Sequence, residues 1–210
     1  MAQARCPLCG KRPARRDCPA KATRICAVCC GTRREVEIDC PGDCVHLAAG
    51  RDWEASRAEP AVRHALQFSE QFVKRHALVI DSLSRAVVEE RASSPAMVDA
   101  DVRAGLDALQ ATVRTLESGL YYDTRPAGGL AAASLYRRMK ALLDDWMRPQ
   151  SSDLGALKVS EAAAVLEFLV RTHELHGSER PRSRRYLDWL SAMVPRDREK
   201  TEDPGRLILP

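Results

Sequence analysis

Cys6-Pro7-Leu8-Cys9, Cys18, Cys26-Ala27-Val28-Cys29-Cys30 and Cys40-Pro41-Gly42-Asp43-Cys44 hold all eight cysteines of a 210-residue chain, with His46 two positions further on. The 164 residues after position 46 contain none and are rich in Ala, Leu, Arg and Glu. Two stabilising strategies therefore share one chain, and the change falls near residue 46. Forty-six residues with few large apolar side chains cannot build a self-sufficient core, so the cysteines are read as a staple rather than as filling.

Two of the cysteine groups are C-x2-C pairs and one is C-x3-C. A C-x2-C turn brings two thiolates onto one tetrahedral zinc at about 2.3 Å from each sulfur. Gly10, Pro41 and Gly42 beside the pairs suit tight ligand-bearing turns. Clustered cysteines in a reducing compartment are metal ligands more often than disulfides, and spacing and ligand type favour zinc over an iron–sulfur cluster. Cys6, Cys9, Cys26 and Cys29 make the simplest first site. Cys18, Cys30, Cys40 and Cys44 are left for a second, with His46 as a substitute for Cys30 or Cys44. The expectation is two Zn²⁺ ions per chain. Eight cysteines fill two tetrahedra, which makes the zinc structural rather than catalytic, and metal binding would supply the module's folding energy.

This alternation resembles the cross-brace zinc fingers of the B-box and HIT type, over residues 6–46 only. The resemblance implies that Cys6 and Cys9 form the first ligand pair, Cys18 opens the second, Cys26 and Cys29 form the third, and Cys40 and Cys44 form the fourth. It departs in the second pair, because Pro19 to Ile25 offers no further ligand and Cys30 must fill that place. It also implies a role in protein–protein contact or assembly.

Residues 1–46 carry nine Lys/Arg against five Asp/Glu, and the remaining 164 carry 24 of each, so the net charge of +4 sits in the module. That excess is compatible with acidic or phosphate-bearing partners but is far from a dedicated nucleic-acid surface. Arg15, Arg16, Arg33 and Arg34 lie between the ligands as candidate contact residues. No aromatic residue occurs in 1–46, so base stacking is unavailable to this segment on its own.

Beyond the module the apolar spacing is helical. A short helix is expected at about 47–58. One helix is expected over about 61–91, carrying Val62, Leu66, Phe72, Val73, Val79, Ile80, Leu83 and Val87 on one stripe. Val102, Leu106, Leu109, Val113, Leu116 and Leu120 alternate by four and three, the clearest seam in the chain, read as a bundle core in preference to a dimer seam. Tyr121 and Tyr122 open a turn-rich loop and are candidate partner anchors, although such rings more often pack on a bundle edge. Further helices follow at 130–148, from an N-cap at Ser160 to His176, and at about 183–194.

Two other motifs stand out. His173 and His176 stand three apart on a helix, without the spacing of a zinc-protease motif. Arg180, Arg182, Arg184 and Arg185 form a basic cluster, read chiefly as a solvated linker. No phosphate loop, nucleophile elbow or poised carboxylate pair is present, so no enzyme is expected. With no signal-like or membrane-spanning stretch, the expectation is a cytoplasmic protein without a membrane partner.

These readings combine into a mainly α protein: a zinc-binding module at 1–46, a helical bundle at 47–194 and a disordered charged tail at 195–210. The expected role is that of a non-catalytic adaptor or regulator acting through a protein partner. Nucleic-acid binding through the basic loops and the Arg180–Arg185 cluster is the alternative.

Overall fold

A computed structural model describes residues 4–57, 68–149 and 156–194. The chain is mainly α, with a cysteine-rich module leading into a helical bundle. In the module, strands β1 (Arg16–Cys18) and β2 (Thr23–Ile25) pair antiparallel, with Arg16 opposite Ile25 and Cys18 opposite Thr23. Helices α1 (Ala27–Arg33) and α2 (Val45–Arg57) follow. The module's own apolar cluster gathers Ile25, Ile38 and Leu47 with the cysteines. Leu47 belongs to α2, so the cluster reaches past residue 46 into the helix that leaves it.

The bundle comprises α3 (Glu70–Arg75), α4 (Ala77–Ser93), α5 (Asp99–Glu117), α6 (Leu130–Met147), α7 (Val159–His176) and α8 (Arg185–Met193). α5 lies between α6 and α7, α4 packs on α6, and α8 crosses α4 and α7. The expected seam on α5 is the centre of the core: Val102, Leu106, Leu109 and Val113 are buried against Leu135, Met139, Leu143 and Leu166. Gly105 sits on the same face, where a Cβ would stand 3.4 Å from Leu135 and 3.5 Å from the Ala132 carbonyl, which lets α5 and α6 approach closely. The seam ends before Leu120, which is 63% exposed. Gly119, at φ +78°, turns the chain there, with its N–H on the Leu116 carbonyl and that of Leu120 on the Thr115 carbonyl.

Three expected boundaries move. The helix drawn over 61–91 is two helices within the described residues, jointed at His76 (φ −104°, ψ 14°), with Val62 and Leu66 outside the described residues. No Gly or Pro marks the joint. The His76 ring lies 4.7 Å from Phe72, which also meets Phe68 and Phe168, and this aromatic cluster seats α3 on α7. Ser160 is not the N-cap of α7. Lys158 is the extended capping residue, and its N–H donates to the Glu161 carboxylate at 3.1 Å, so the helix starts at Val159. Finally, α8 is shorter than 183–194: Arg184 is its N-cap, and the Arg185 N–H that opens it donates to the Ser183 hydroxyl in the preceding loop at 3.1 Å. The tail expected at 195–210 lies outside the described residues.

Candidate metal centre

The first cysteine pair sits on a knuckle. Cys6 donates its N–H to the Arg12 carbonyl at 2.8 Å, and Gly10, at φ +63°, donates to the Cys6 carbonyl at 2.7 Å. A residue with a Cβ is strained at that φ, so glycine is what lets the chain fold back this tightly. The β1–β2 hairpin then carries the chain out and back, and the fully buried Ile25 delivers Cys26 to the start of α1. Cys26 is the N-cap, its sulfur accepting the Cys29 N–H at 3.3 Å. Knuckle and helix start face each other, with the Cys9 and Cys26 sulfurs 3.9 Å apart. The sulfurs of Cys6, Cys9, Cys26 and Cys29 all lie within 4.8 Å of one another.

The backbone tunes these thiols unequally. The N–H groups of Arg12 and Lys11 hold Cys9 down at about 6. Burial works to raise Cys6, but the N–H groups of Cys26, Leu8 and Cys9 together bring it below the ordinary thiol value. Cys29 is pushed up to about 12, first by sharing its proton with the Cys26 sulfur and then by burial. Four sulfurs this close cannot all carry negative charge by themselves, whereas a soft divalent cation at their centre neutralises them together. The donor set and its spacing fit such an ion.

The other four cysteines are buried in the same apolar cluster: Cys18 ends β1, Cys30 lies on α1, and Cys40 and Cys44 bracket the turn before α2. Burial raises the Cys40 thiol, a backbone hydrogen bond from Glu35 opposes it, and the charges of Cys44, Cys18 and Glu35 add to the rise. Among the described residues, only Cys6, Cys9, Cys26 and Cys29 form a group within mutual ligand distance, and the structure does not bring Cys18, Cys30, Cys40 and Cys44 together in this way. His46 lines a cleft of about 400 Å³ between α1 with its C-cap (Ala27, Gly31 and the capping Arg34) and one face of α2 (Ala49, Gly50, Trp53), with Arg16 at its edge. No cysteine lines that cleft.

The basic and aromatic candidates separate into different roles. Arg15 is exposed and Arg16 half-buried. Arg33 pairs with Glu37 one turn along at 3.1 Å. Arg34 is not a free contact residue: only 12% of its side chain is exposed, and it donates to Glu54 at 2.9 Å and to the His46 carbonyl at 3.4 Å. Its guanidinium crosses α2 at Gly50, where a Cβ would stand 1.5 Å from its nitrogen. Tyr121 and Tyr122 are 92% and 66% exposed rather than packed on the bundle edge. They border a cavity of about 530 Å³ whose walls include Leu116, Leu143 and Met147.

The Arg180–Arg185 cluster is largely engaged with the module. Arg180 donates to Glu54 at 2.8 Å and lies 3.6 Å from Glu35, and Arg184 pairs with Asp39. Arg51 of α2 bridges Glu35 and Asp188 at 2.8 Å each, and Arg91 of α4 donates to Asp188 at 2.6 Å. Arg34, Glu54, Arg180, Glu35, Arg51, Asp188 and Arg91 thus alternate in sign from the module to the bundle. His173 and His176 do not converge on one point. His173 hydrogen-bonds the Asp99 carbonyl through Nε2 at 2.9 Å, while His176 stacks on Trp189 with centroids 3.8 Å apart.

Sequence reasoning missed Asp99. It is fully buried at the start of α5, and its carboxylate accepts the N–H groups of Tyr186 and Leu187 at 3.2 Å each, capping α8 from another helix. Its own N–H donates to the Ser183 carbonyl at 2.8 Å. Nothing local in the sequence couples residues this far apart.

No protein-family model, curated protein or solved structure matches the chain. The convergence of Cys6 and Cys9 with Cys26 and Cys29 within metal-binding distance is consistent with a zinc-finger-like module. No helix among the described residues is long and apolar enough to cross a membrane.

Proposed function

We propose that the chain is a non-catalytic, zinc-stapled adaptor or regulator that works through a protein partner. The observation that carries this reading is the closed four-sulfur group of Cys6, Cys9, Cys26 and Cys29, which leaves a tetrahedral ion no position for substrate. Cys18, Cys40 and Cys44 with Cys30 take a second zinc ion in a cross-brace of the B-box/HIT kind. His46 drops out of that ligand set because it opens into a cleft without cysteines. The partner surface is the loop bearing Tyr121 and Tyr122, exposed aromatics beside an apolar cavity, the type of feature that anchors interfaces.

One observation favours the second reading, nucleic-acid binding. α2 brings Trp53 into the cleft shared by Arg16 and His46, supplying the stacking ring that residues 1–46 lack. A salt series separates the two. Full-length protein and its Tyr121→Ala/Tyr122→Ala variant are used to recover bound proteins at low and high salt, and both are passed over mixed single-stranded DNA and RNA. A protein partner that survives high salt and is lost in the variant supports the adaptor. Nucleic-acid retention that falls steeply with salt and is unchanged in the variant overturns it.

A further inference from the structure

We propose that the cysteine module is a metal-held clasp over the arginine loop between α7 and α8, and that release of metal uncovers this loop as a docking surface for an acidic peptide segment. The inference rests on the metal reading above.

The module's half of the clasp hangs on the cysteines. Between Arg33, the last residue of α1, and Val45, the first of α2, the chain has no helix or strand of its own, and its only fully buried apolar side chain is Ile38. Glu35 lies in this segment at φ +57°, a conformation that side chains other than glycine rarely hold without support from their surroundings. Support comes from a turn that leads into Cys40: the Glu35 N–H donates to the Ile38 carbonyl at 3.0 Å, as does the Cys40 N–H. From that fixed position Glu35 reaches Arg182 and Arg180 across the boundary and Arg51 on α2. Its carbonyl accepts the Arg182 N–H at 2.8 Å, and its buried carboxylate meets Arg51 and Arg180. Asp39, the residue before Cys40, adds the pair with Arg184. Glu54 on α2, the helix that begins directly after Cys44, adds a second partner for Arg180.

The bundle's half does not depend on the module. Arg184 also donates to the carbonyl oxygens of Met97 at 3.1 Å and Ala96 at 3.4 Å. Arg180 is held by its N–H on the Ser178 hydroxyl at 3.3 Å and by its carbonyl accepting the Ser183 N–H at 3.0 Å. Ser183 is fixed in turn by Asp99. Once Glu35, Asp39 and Glu54 withdraw, Arg180, Arg182, Arg184 and Arg185 remain on one loop, with Glu179 beside Arg180 in sequence and Asp188, the partner of Arg91, on α8 as the nearby acids. What covers the array now is a set of spaced carboxylates, so a partner segment of spaced carboxylates is the chemistry that fits it.

The test uses the full-length chain. Amide hydrogen exchange of residues 178–184 is followed through a chelator titration, with metal content and free thiols measured on the same samples. Metal loss should speed exchange at Arg182 by roughly tenfold or more, while α5 stays protected. The metal-retaining variant Glu35→Gln/Asp39→Asn/Glu54→Gln should show a smaller acceleration, because the Arg182 N–H still meets the Glu35 carbonyl. It should also bind a poly-glutamate peptide that the metal-loaded wild type does not bind, with affinity that falls as salt rises. Thiols released without any change at 178–184, or a charge variant that keeps its metal and ignores the peptide, overturns the clasp. A chain purified without metal overturns the metal reading instead, and the charge variant alone then decides whether the module covers the loop.

Discussion

Replacing Asp99 with alanine removes a fully buried carboxylate that terminates α8 from outside that helix. Each of its two hydrogen bonds to N–H groups is charge-assisted and contributes about 1.5–3 kcal/mol at good geometry, with the 3.2 Å lengths placing them at the low end. Truncation also strands the N–H groups of two residues that are about 1% exposed, Tyr186 and Leu187, and withdraws a negative charge from a helix N-terminus. Relief from burying a charge offsets part of this, and the net expectation is a loss of about 3 kcal/mol. Urea unfolding in metal-containing buffer, followed by the fluorescence of Trp189 on α8 and Trp146 on α6, measures it directly. The midpoint should fall with an unchanged slope. Asp99→Asn should recover less than half, because its NH₂ faces one of the two N–H donors while its oxygen accepts only the other. A loss below about 1 kcal/mol for the alanine variant would refute the view that Asp99 fixes α8.

Gly50→Ala should destabilise by about 2 kcal/mol, since the new methyl displaces the Arg34 guanidinium and breaks its pair with Glu54. In an Arg34→Ala background the same change should be neutral or mildly stabilising, and a thermal-melt double-mutant cycle checks the coupling. Burial lowers the His173 pKa in the folded chain. The unfolded chain therefore binds the proton first, so this residue's contribution is constant above about pH 6.5 and stability falls as pH drops below that value toward the folded pKa. The slope of unfolding free energy against pH below 6.5 should be shallower in His173→Gln, whose amide can still donate to the Asp99 carbonyl. Leu106→Ala, at the centre of α5, should cost about 2–5 kcal/mol by the same urea assay.

The helices of the bundle were legible because Val102, Leu106, Leu109 and Val113 repeat at the spacing that buries one face. The cluster of Cys6, Cys9, Cys26 and Cys29 was legible because C-x2-C geometry is local to each pair. The β1–β2 hairpin was not, since its three-residue strands bury only Cys18 and Ile25 and show no alternation long enough to detect. The joint at His76 escaped for a similar reason: aromatic contacts from a distant helix, rather than a helix breaker, decide it. The ionic lattice was the least readable part. Arg51 and Asp188 lie 137 positions apart, and Asp39 and Arg184 lie 145 apart, so no window of sequence records their pairing. Arg34 shows the consequence. Composition makes it a surface cation, and only the passage over Gly50 toward Glu54 makes it an interior one.

Elemental analysis of protein purified without added metal, with thiol release followed through a chelator titration, tests the account most directly. Two zinc ions per chain are expected in the wild type, falling to one when Cys9 and Cys29 are both changed to serine, with the bundle's unfolding transition retained. Wild-type protein that carries no zinc, or a double-serine variant that keeps the full wild-type complement, would contradict the assignment of Cys6, Cys9, Cys26 and Cys29 as a metal centre.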